Sequence, residues 1–348
     1  MKKAIVALCT VATISLCSCS KEDNTPKTPE GVYNPEAKIS EVYENGALAE
    51  HWNWSDDLLM SISNGENTTT SFTYNGNRVS SINITSPIEA IATPSYNGNF
   101  ISSLAVESGG LQLVHADIIH NGSNKLSHAD LDIDETMVNF LIELMLSDSN
   151  AFFNQPLTRL LGRPVTEEIL QFASLNRHNE SKLTVNNITV GIDFVWNGNN
   201  VSQMLVNAHL QAGITMAEIA QIIDLTEYLG ELAEIAAAIP GEQPLEIVIS
   251  DTIDYTYDTQ KNPKRGFLGS MDVSSLSKNN ILTSHTHGIT DLGLTVTLPF
   301  IGERPFNQSR PTNSITTLHY DYNENGFPVK ATESNETTET VKEYIYIK

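Results

Sequence analysis

One short arrangement in the sequence suits metal binding. His285 and His287 are two residues apart, so in a β-strand both imidazoles would lie on one face and could reach the same ion. No third ligand at a fixed spacing accompanies them, and an exposed polar strand face is the simpler interpretation. We therefore predict no metal and no other cofactor, with these two histidines as the candidates if a metal binds.

A second arrangement suits calcium, which prefers oxygen ligands. Asp130, Asp132 and Asp134 would share one face of a strand, but the glycine and the terminal glutamate of an EF-hand loop are absent. Asp134 is better interpreted as the N-cap of a helix, because its carboxylate can accept hydrogen bonds from unpaired backbone amides.

A third group consists of aromatic residues near turns, and flat aromatic faces suit sugar stacking. Their alternative role is packing between neighbouring strands, which we favour. The candidates for ligand binding are Trp52, Trp54, Tyr74, Tyr96 and Trp196.

The motifs of common enzyme classes are absent from the sequence. It contains no Gly-x-Ser-x-Gly elbow, no His-Glu-x-x-His zinc motif, no phosphate-binding glycine loop and no dinucleotide fingerprint. A glycosidase pair of carboxylates stays open, since sequence alone cannot give the separation of two carboxyl groups. We predict a protein that is not an enzyme and has no catalytic residues.

The N-terminus has the organisation of a secretory signal. Lys2 and Lys3 precede an uncharged apolar run at 4–16, which is shorter than the ~20 residues that span a bilayer. The run ends in Leu16-Cys17-Ser18-Cys19, which resembles the lipobox of bacterial lipoproteins and implies cleavage after residue 18 and lipid on Cys19. Cleavage leaves Cys19 as the one cysteine of the mature chain, so we expect no disulfide.

The predicted tether, residues 19–36, begins with Ser20-Lys21-Glu22-Asp23-Asn24 and continues with Pro and Thr. An acidic start of this kind resembles the surface-export signal of Bacteroidota lipoproteins. The resemblance implies an outer-membrane location, lipid-anchored and exposed on the cell surface. The alternative is a solvated tether that carries no export signal, on a protein held at the inner leaflet.

The charge balance argues against nucleic acid as a partner. The chain has 42 acidic and 20 basic residues, for a net charge of −22, and loss of Lys2 and Lys3 takes it to −24. Phosphate backbones bind proteins that neutralise them with Lys and Arg. The remaining partner classes are the membrane, through the lipid, and a glycan or host protein; the sequence does not give the oligomeric state.

Repeated turn signals organise the chain from about residue 37 to residue 348. Asn-Gly occurs seven times, at Asn45, Asn64, Asn75, Asn97, Asn121, Asn197 and Asn325. Asn-Gly is the preferred centre of a type I′ hairpin turn, and the flanking residues alternate as in strands. Val79 and Ile82 fall on opposite faces of a regular strand, which predicts either a β-bulge or a sheet that is partly covered on both faces.

The closest copies of the repeat are Tyr74-Asn-Gly-Asn-Arg-Val, Tyr96-Asn-Gly-Asn-Phe-Ile and Trp196-Asn-Gly-Asn-Asn-Val. An aromatic residue, a glycine turn and a short apolar strand resemble the YD-repeat style of hairpin array. The pattern is also similar to uncharacterised Bacteroidota lipoprotein domains with a porin-like β fold. The resemblance implies a fold and a cell-surface setting, and no reaction.

Helical periodicity interrupts the strands at about 134–177 and 214–240. We therefore predict a mainly β domain: a curved antiparallel meander sheet, open or barrel-like, with two helical insertions covering its inner face. The predicted function is non-enzymatic binding or display at the cell surface. The alternatives are a carrier of lipid or apolar ligands with the helices as its lid and, third, a glycoside hydrolase-like enzyme.

Overall fold

The computed structural model describes residues 29–65, 67–85, 89–134, 183–215, 241–268, 273–298, 302–335 and 338–347. They form sixteen antiparallel strands and one short 3-10 turn, Val273–Ser275. The strands are β1 (Ile39–Glu44), β2 (Ala47–Ser55), β3 (Leu58–Asn64), β4 (Asn67–Asn75), β5 (Arg78–Ile84), β6 (Ala90–Asn97), β7 (Phe100–Ser108), β8 (Leu111–His120), β9 (Leu126–Ile133), β10 (Leu183–Asn197), β11 (Asn200–Thr215), β12 (Glu242–Tyr257), β13 (Ile281–Leu298), β14 (Gly302–Tyr322), β15 (Pro328–Ser334) and β16 (Glu339–Tyr346).

The strands form a closed barrel in which each strand pairs with its neighbours in the chain. β1 and β16 close it, with Ile39 opposite Tyr346 and Glu44 opposite Lys342. The prediction of a meander sheet covered by two helical insertions is therefore wrong. Closure removes both sheet edges, whose unpaired backbone groups an open sheet would leave exposed.

The predicted helices lie almost entirely outside the described residues, which contain no α-helix. Asp134 directly follows β9, and Ile214 and Thr215, predicted to begin the second helix, belong to β11. Their strand pairing with Gln243 and Glu242 accounts for the difference, because tertiary pairing overrides local periodicity.

The two ends of the barrel differ. We call "turn end" the end with the connections at 56–57, 76–77, 98–99, 121–125, 198–199, 258–280 and 323–327; it also holds the start of β1 and the end of β16. The opposite end, which we call the "loop end", has the connections at 134–182 and 216–241. The described residues that precede β1, 29–38, therefore lie at the turn end.

The Asn-Gly repeats form the predicted hairpins, but most of them do not use the predicted type I′ turn. Asn45 and Gly46 both have positive φ, 52° and 82°, as a type I′ turn requires. In the Tyr74 repeat, Asn75 pairs with Arg78 and the loop is Gly76-Asn77, with φ positive only at Gly76. Glycine at the first loop position indicates a type II′ turn.

The predicted bulge after Val79 is confirmed, since the register shifts between Thr73 and Tyr74 and leaves one extra residue in β5. A register shift occurs in all seven hairpins of the turn end. The extra residue lets Val79 and Ile82, with 2% and 1% exposure, both face the core.

The buried face of the sheet is the inner face of the barrel, because residues 258–268 and 273–280 contact opposite sides of the lumen. The ring of Phe267 lies 4.8 Å from Trp52 of β2, whereas Ser277 Oγ accepts a hydrogen bond from Val201 N of β11 at 3.1 Å. These strands lie on distant parts of the wall. We call residues 258–268 and 273–280 the "plug segment".

The outer wall is largely polar. Asp117, Asp130, Asp193, Glu246 and Asp254 lie on it in mid-strand, several of them beside histidines. Transmembrane barrels have an apolar outer band and a polar interior, which is the reverse of this arrangement. A closed barrel is compatible with an outer-membrane location.

Among the described residues, no helix has the length and apolar character that crossing a bilayer requires.

Candidate functional site

A ring of aromatic side chains lines the turn end, and we call it the "aromatic girdle". Six of its members donate a hydrogen bond, 2.6 to 2.8 Å long, to a backbone carbonyl at the start of the preceding odd-numbered strand. These six are Trp54, Tyr74, Tyr96, Trp196, Tyr257 and Tyr346, and the seventh member, Tyr322, donates to the carboxylate of Asp258. The girdle explains why the repeat has an aromatic residue just before its turn.

The girdle side chains are only partly buried, and burial raises the pKa of Tyr74 to about 12. Cations cover some of the rings: Arg78 Cζ lies 3.6 Å from the ring centre of Tyr96, and Lys125 Nζ lies 5.4 Å from that of Trp196. Trp52 is a core residue with 3% exposure. The contacts of Trp52, Trp54, Tyr74, Tyr96 and Trp196 fit a packing role, and ligand binding by them stays a prediction.

Residues 29–38 fasten the tether to the turn end. Glu30 is 4% exposed; its Oε2 accepts a hydrogen bond from Ile101 N at 2.6 Å, and its Oε1 lies 2.9 Å from His120 Nε2. Gly31 has φ +82°, and a Cβ there would lie 2.2 Å from the hydroxyl oxygen of Tyr96. Glycine is therefore required at this position.

The plug segment is held by hydrogen bonds on several sides. Asn262 Nδ2 donates to the carbonyls of Ser274 and Ser277 at 2.6 and 3.0 Å. Asn280 Nδ2 donates to Asp258 Oδ2 at 2.9 Å, and Tyr33 donates to the Pro263 carbonyl at 2.8 Å. These bonds fix the segment as a floor across the turn end.

A cavity of about 180 Å³ lies between this floor and the inner wall of β11–β16. Three tyrosines line it, each two residues before a girdle tyrosine: Tyr255, Tyr320 and Tyr344. Its apolar lining comes mainly from Met204, Ile253, Val273, Ile281, Leu318 and Ala331. Elsewhere around the barrel the position equivalent to these tyrosines is Trp52, Phe72, Pro94, Ile118 or Phe194.

Polar groups occupy the other side of the cavity. Ser284 and Thr316 are directly opposite each other on β13 and β14, and Glu333 and Lys342 line the part nearer the loop end. Lys342 Nζ lies 3.9 Å from Glu44 Oε2 on the neighbouring strand. The cavity is therefore amphipathic, with Lys264 on its floor at the turn end and Glu333 and Lys342 toward the lumen.

The predicted metal candidates lie on the outer wall, away from this cavity. The rings of His285 and His287 are 5.2 Å apart, and their Nε2 atoms contact Asn313 Oδ1 and Asp254 Oδ2, both at 2.8 Å. Within the described ranges, no cluster of three or more His, Cys, Asp or Glu side chains is placed to hold a metal ion. Metal binding by this pair stays a prediction.

The three predicted calcium ligands divide between β9 and the residue after it. Asp130 and Asp132 lie on the outer wall in β9, and Asp134 follows the strand. Asp130 Oδ1 lies 3.0 Å from His128 Nε2, and Asp193 Oδ1 lies 2.6 Å from His128 Nδ1. Partial burial lowers the pKa of His128, but these two carboxylates outweigh it and raise that pKa.

A second concavity, of about 520 Å³, lies along the wall around Gly191. Its polar lining includes Asp117, Asp130, Asn207, His209 and Ser250. This surface offers carboxylate, amide, imidazole and hydroxyl groups for hydrogen bonds, and we call it the "outer groove".

Cys19, the predicted lipidation site, lies outside the described residues.

The solved structures similar to this chain include the following two. One is a porin-like protein from Bacteroides uniformis, with 9% identity and a TM-score of 0.34, covering 89% of this chain and 98% of its own. The other is a lipopolysaccharide binding protein, with 9% identity and a TM-score of 0.16, covering 100% of this chain and 83% of its own. No family model and no curated protein matches the chain.

The first of these structures is described as porin-like, and the resemblance of this chain to YD-repeat arrays stays a prediction. At such low identity and structural similarity, neither structure identifies a function. The function must be argued from the chain's own geometry.

Proposed function

We propose that the protein is a lipid-tethered, non-enzymatic binding protein of the outer membrane that holds a small amphipathic molecule in the cavity above the plug segment. The observation that carries the proposal is the cavity itself. It is lined by apolar and aromatic side chains on one side and by hydroxyl and charged groups on the other. Such a combination is typical of small-molecule sites.

The volume restricts the ligand. Pockets for drug-sized ligands measure about 300–1,000 Å³, whereas an engineered protein cavity of about 150 Å³ holds benzene. At about 180 Å³, this cavity suits a molecule nearer the size of benzene than that of an acyl chain. The proposal therefore concerns a small metabolite and differs in this respect from a lipid carrier.

Native mass spectrometry of the protein purified from its own membrane tests the proposal. We expect a bound small molecule with the wild-type chain, and loss of that mass with Leu318→Trp, which fills the cavity. Ile315→Trp is the matched control, since Ile315 lies on the outer wall of the same strand with 50% exposure. A ligand-free wild-type protein, or equal ligand in both variants, would contradict the proposal.

The outer groove supports a second candidate, display of a glycan-binding surface. Its hydrogen-bonding side chains suit hydroxyl-rich ligands, and no apolar cavity is needed. A glycan array probed with the purified protein tests it, with Asn207→Ala expected to abolish any signal and Asn313→Ala, on the outer wall of β14, expected to retain it. An array without signal would remove this candidate.

A further inference from the structure

We propose that the ligand of the cavity above the plug segment is a small organic anion, a carboxylate on a compact apolar body, with its charge at the floor beside Lys264. This inference rests on the proposed function and names its ligand class. Three features support it: the charges in the lining, the basic character of the plug segment, and the size and hydrogen-bond donors of the cavity.

The lining of the cavity reverses the charge balance of the chain. Acidic residues outnumber basic ones by 42 to 20 in the whole sequence. In the described part of the lining, two lysines, Lys264 and Lys342, accompany one carboxylate, that of Glu333. Lys342 and Glu333 share the lumen side, where their opposite charges offset each other. The positive charge in excess is therefore that of Lys264, on the floor.

The floor belongs to a basic stretch of the chain. The plug segment contains four basic residues, Lys261, Lys264, Arg265 and Lys278. Its one carboxylate, that of Asp258, accepts two hydrogen bonds from Asn280, and Lys261 is paired with Glu36. Four basic residues against one acidic residue give the floor a positive local potential, which attracts anions.

The negative charge of the whole chain acts against an anion only at long range. A net charge of −22 repels anions in solution, but salt screens exposed charges beyond about 8 Å at physiological ionic strength. Groups that contact the ligand are screened much less. The affinity for a bound carboxylate therefore depends chiefly on the lining.

The lining also supplies hydrogen-bond donors. Bonds from an ammonium group to a carboxylate are roughly twice as strong as those between neutral groups, and Lys264 offers such donors. Ser284 and Thr316, opposite each other on β13 and β14, add hydroxyl donors. Burying a carboxylate without a paired cation is costly, so the preference for an anion should depend on Lys264.

The size of the cavity favours a carboxylate with a compact body. Its volume of about 180 Å³ is close to that of an engineered cavity of about 150 Å³ that holds benzene. An aromatic or branched body of this size would contact apolar side chains of the lining such as Met204, Val273 and Leu318. Benzoate is a simple molecule of this kind and serves as the probe.

Three probes of nearly the same shape separate charge from size. Near neutral pH, benzoate is an anion, benzyl alcohol is uncharged and benzylammonium is a cation. Ligand-observed NMR titration of the full-length protein in a neutral detergent gives the three dissociation constants, with detergent alone as the blank. At about 0.15 M salt, we expect benzoate to bind about tenfold more tightly than benzyl alcohol, and benzylammonium to bind least.

Substitutions of Lys264 locate the charge. Lys264→Met removes the ammonium group and is expected to weaken benzoate binding about tenfold. Benzyl alcohol should bind as before, which also shows that the cavity is intact. Lys264→Arg keeps the charge and is expected to retain the preference. Lys278→Met is the matched control, because Lys278 is exposed in the same segment and lies outside the lining.

Glu333→Gln should act in the opposite direction. It removes the carboxylate of the lining, so benzoate should bind about threefold more tightly, the effect of one partly exposed charge, and benzyl alcohol equally well. A loss of cavity shape would weaken both probes and could not produce this pattern. Glu343→Gln, exposed on the outer wall of β16, is the control and should change neither dissociation constant.

The outcomes distinguish this inference from the proposed function. Equal or tighter binding of benzyl alcohol or benzylammonium would overturn the anion and leave a small-molecule site in place. Equal weakening of benzoate by Lys264→Met and Lys278→Met would overturn the contact with Lys264. Absence of binding for all three probes would also overturn the anion, and the mass-spectrometry comparison of Leu318→Trp with Ile315→Trp would then decide the proposed function separately.

Discussion

The carboxylate of Asp251 occupies the space that Gly288 leaves by having no side chain. The two residues are paired across β12 and β13 on the inner face, and a Cβ at Gly288 would lie 2.1 Å from Asp251 Oδ1 and 2.3 Å from the Ser250 carbonyl oxygen. Asp251 is 4% exposed. A buried carboxylate thus depends on one glycine in the neighbouring strand.

Gly288→Ala should lower the free energy of unfolding by about 1–3 kcal/mol, the range for overpacking a filled core. Gly293→Ala, in the same strand, is the control, because the nearest atom to its new Cβ would be 3.6 Å away. We expect it to change stability by about 0.5 kcal/mol or less. Urea unfolding measures both, and equal stabilities would contradict the packing argument.

Tyr74→Phe should destabilise the barrel by about 1 kcal/mol, because the Tyr74 hydroxyl donates to the Leu59 carbonyl at 2.6 Å within the girdle. Tyr43→Phe removes a solvent-facing hydroxyl that donates a hydrogen bond to the partly exposed side chain of Glu41 and should have little effect. Equal urea midpoints for the two variants would show that the Tyr74 hydrogen bond makes no net contribution to the free energy of unfolding.

Glu30→Ala should loosen the attachment of residues 29–38 to the turn end. The substitution leaves the buried Ile101 amide without its carboxylate acceptor, which costs about 1–3 kcal/mol. Limited proteolysis should then cut this segment faster. The Glu36→Ala control removes only the exposed pair with Lys261, so faster cutting in both variants would contradict the anchoring role of Glu30.

His128 should make stability depend on pH. Its pKa in the folded chain is raised by Asp130 and Asp193, so its stabilisation is fully present below the unfolded-state value of about 6.5 and is lost as pH rises through the folded-state value. The difference in unfolding free energy between wild type and His128→Gln should therefore be larger at about pH 5.5 than at about pH 8.5. A constant difference would contradict this prediction.

Cys19→Ser should release the protein from the membrane, because it removes the predicted site of lipidation. Fractionation should move the variant to the soluble fraction, and intact mass should show the wild type to be heavier by its lipid. Protease treatment of whole cells should digest the wild type if it faces outward; survival beside a digested surface marker would contradict surface exposure.

The hairpins and the bulge after Val79 followed from the sequence because both are local. A glycine that can adopt positive φ and two apolar residues at inconsistent spacing determine them within a few residues. Closure was not predictable in this way, since it depends on strand count and on pairing between Ile39 and Tyr346, at opposite ends of the chain.

The cavity was missed for a related reason. The plug segment has no strong periodicity, and its role depends on contacts with distant strands such as that of Ser277 with Val201. A signal was nevertheless present: the pattern Tyr-x-Tyr ends β12, β14 and β16 and no other strand. Taken together, these three pairs would have indicated that β12, β14 and β16 contribute tyrosines to one side of the turn end.

The pairing of the first strand with the last also constrains when the protein can fold. Ile347 N donates to the Lys38 carbonyl at 2.9 Å, so the seam joins the first strand of the barrel to the sixteenth. Until β16 emerges, β1 has one unpaired side that can recruit other chains. The barrel therefore closes only when β16 is in place, and a variant without residues 339–348 would be left with two open edges, at β1 and β15.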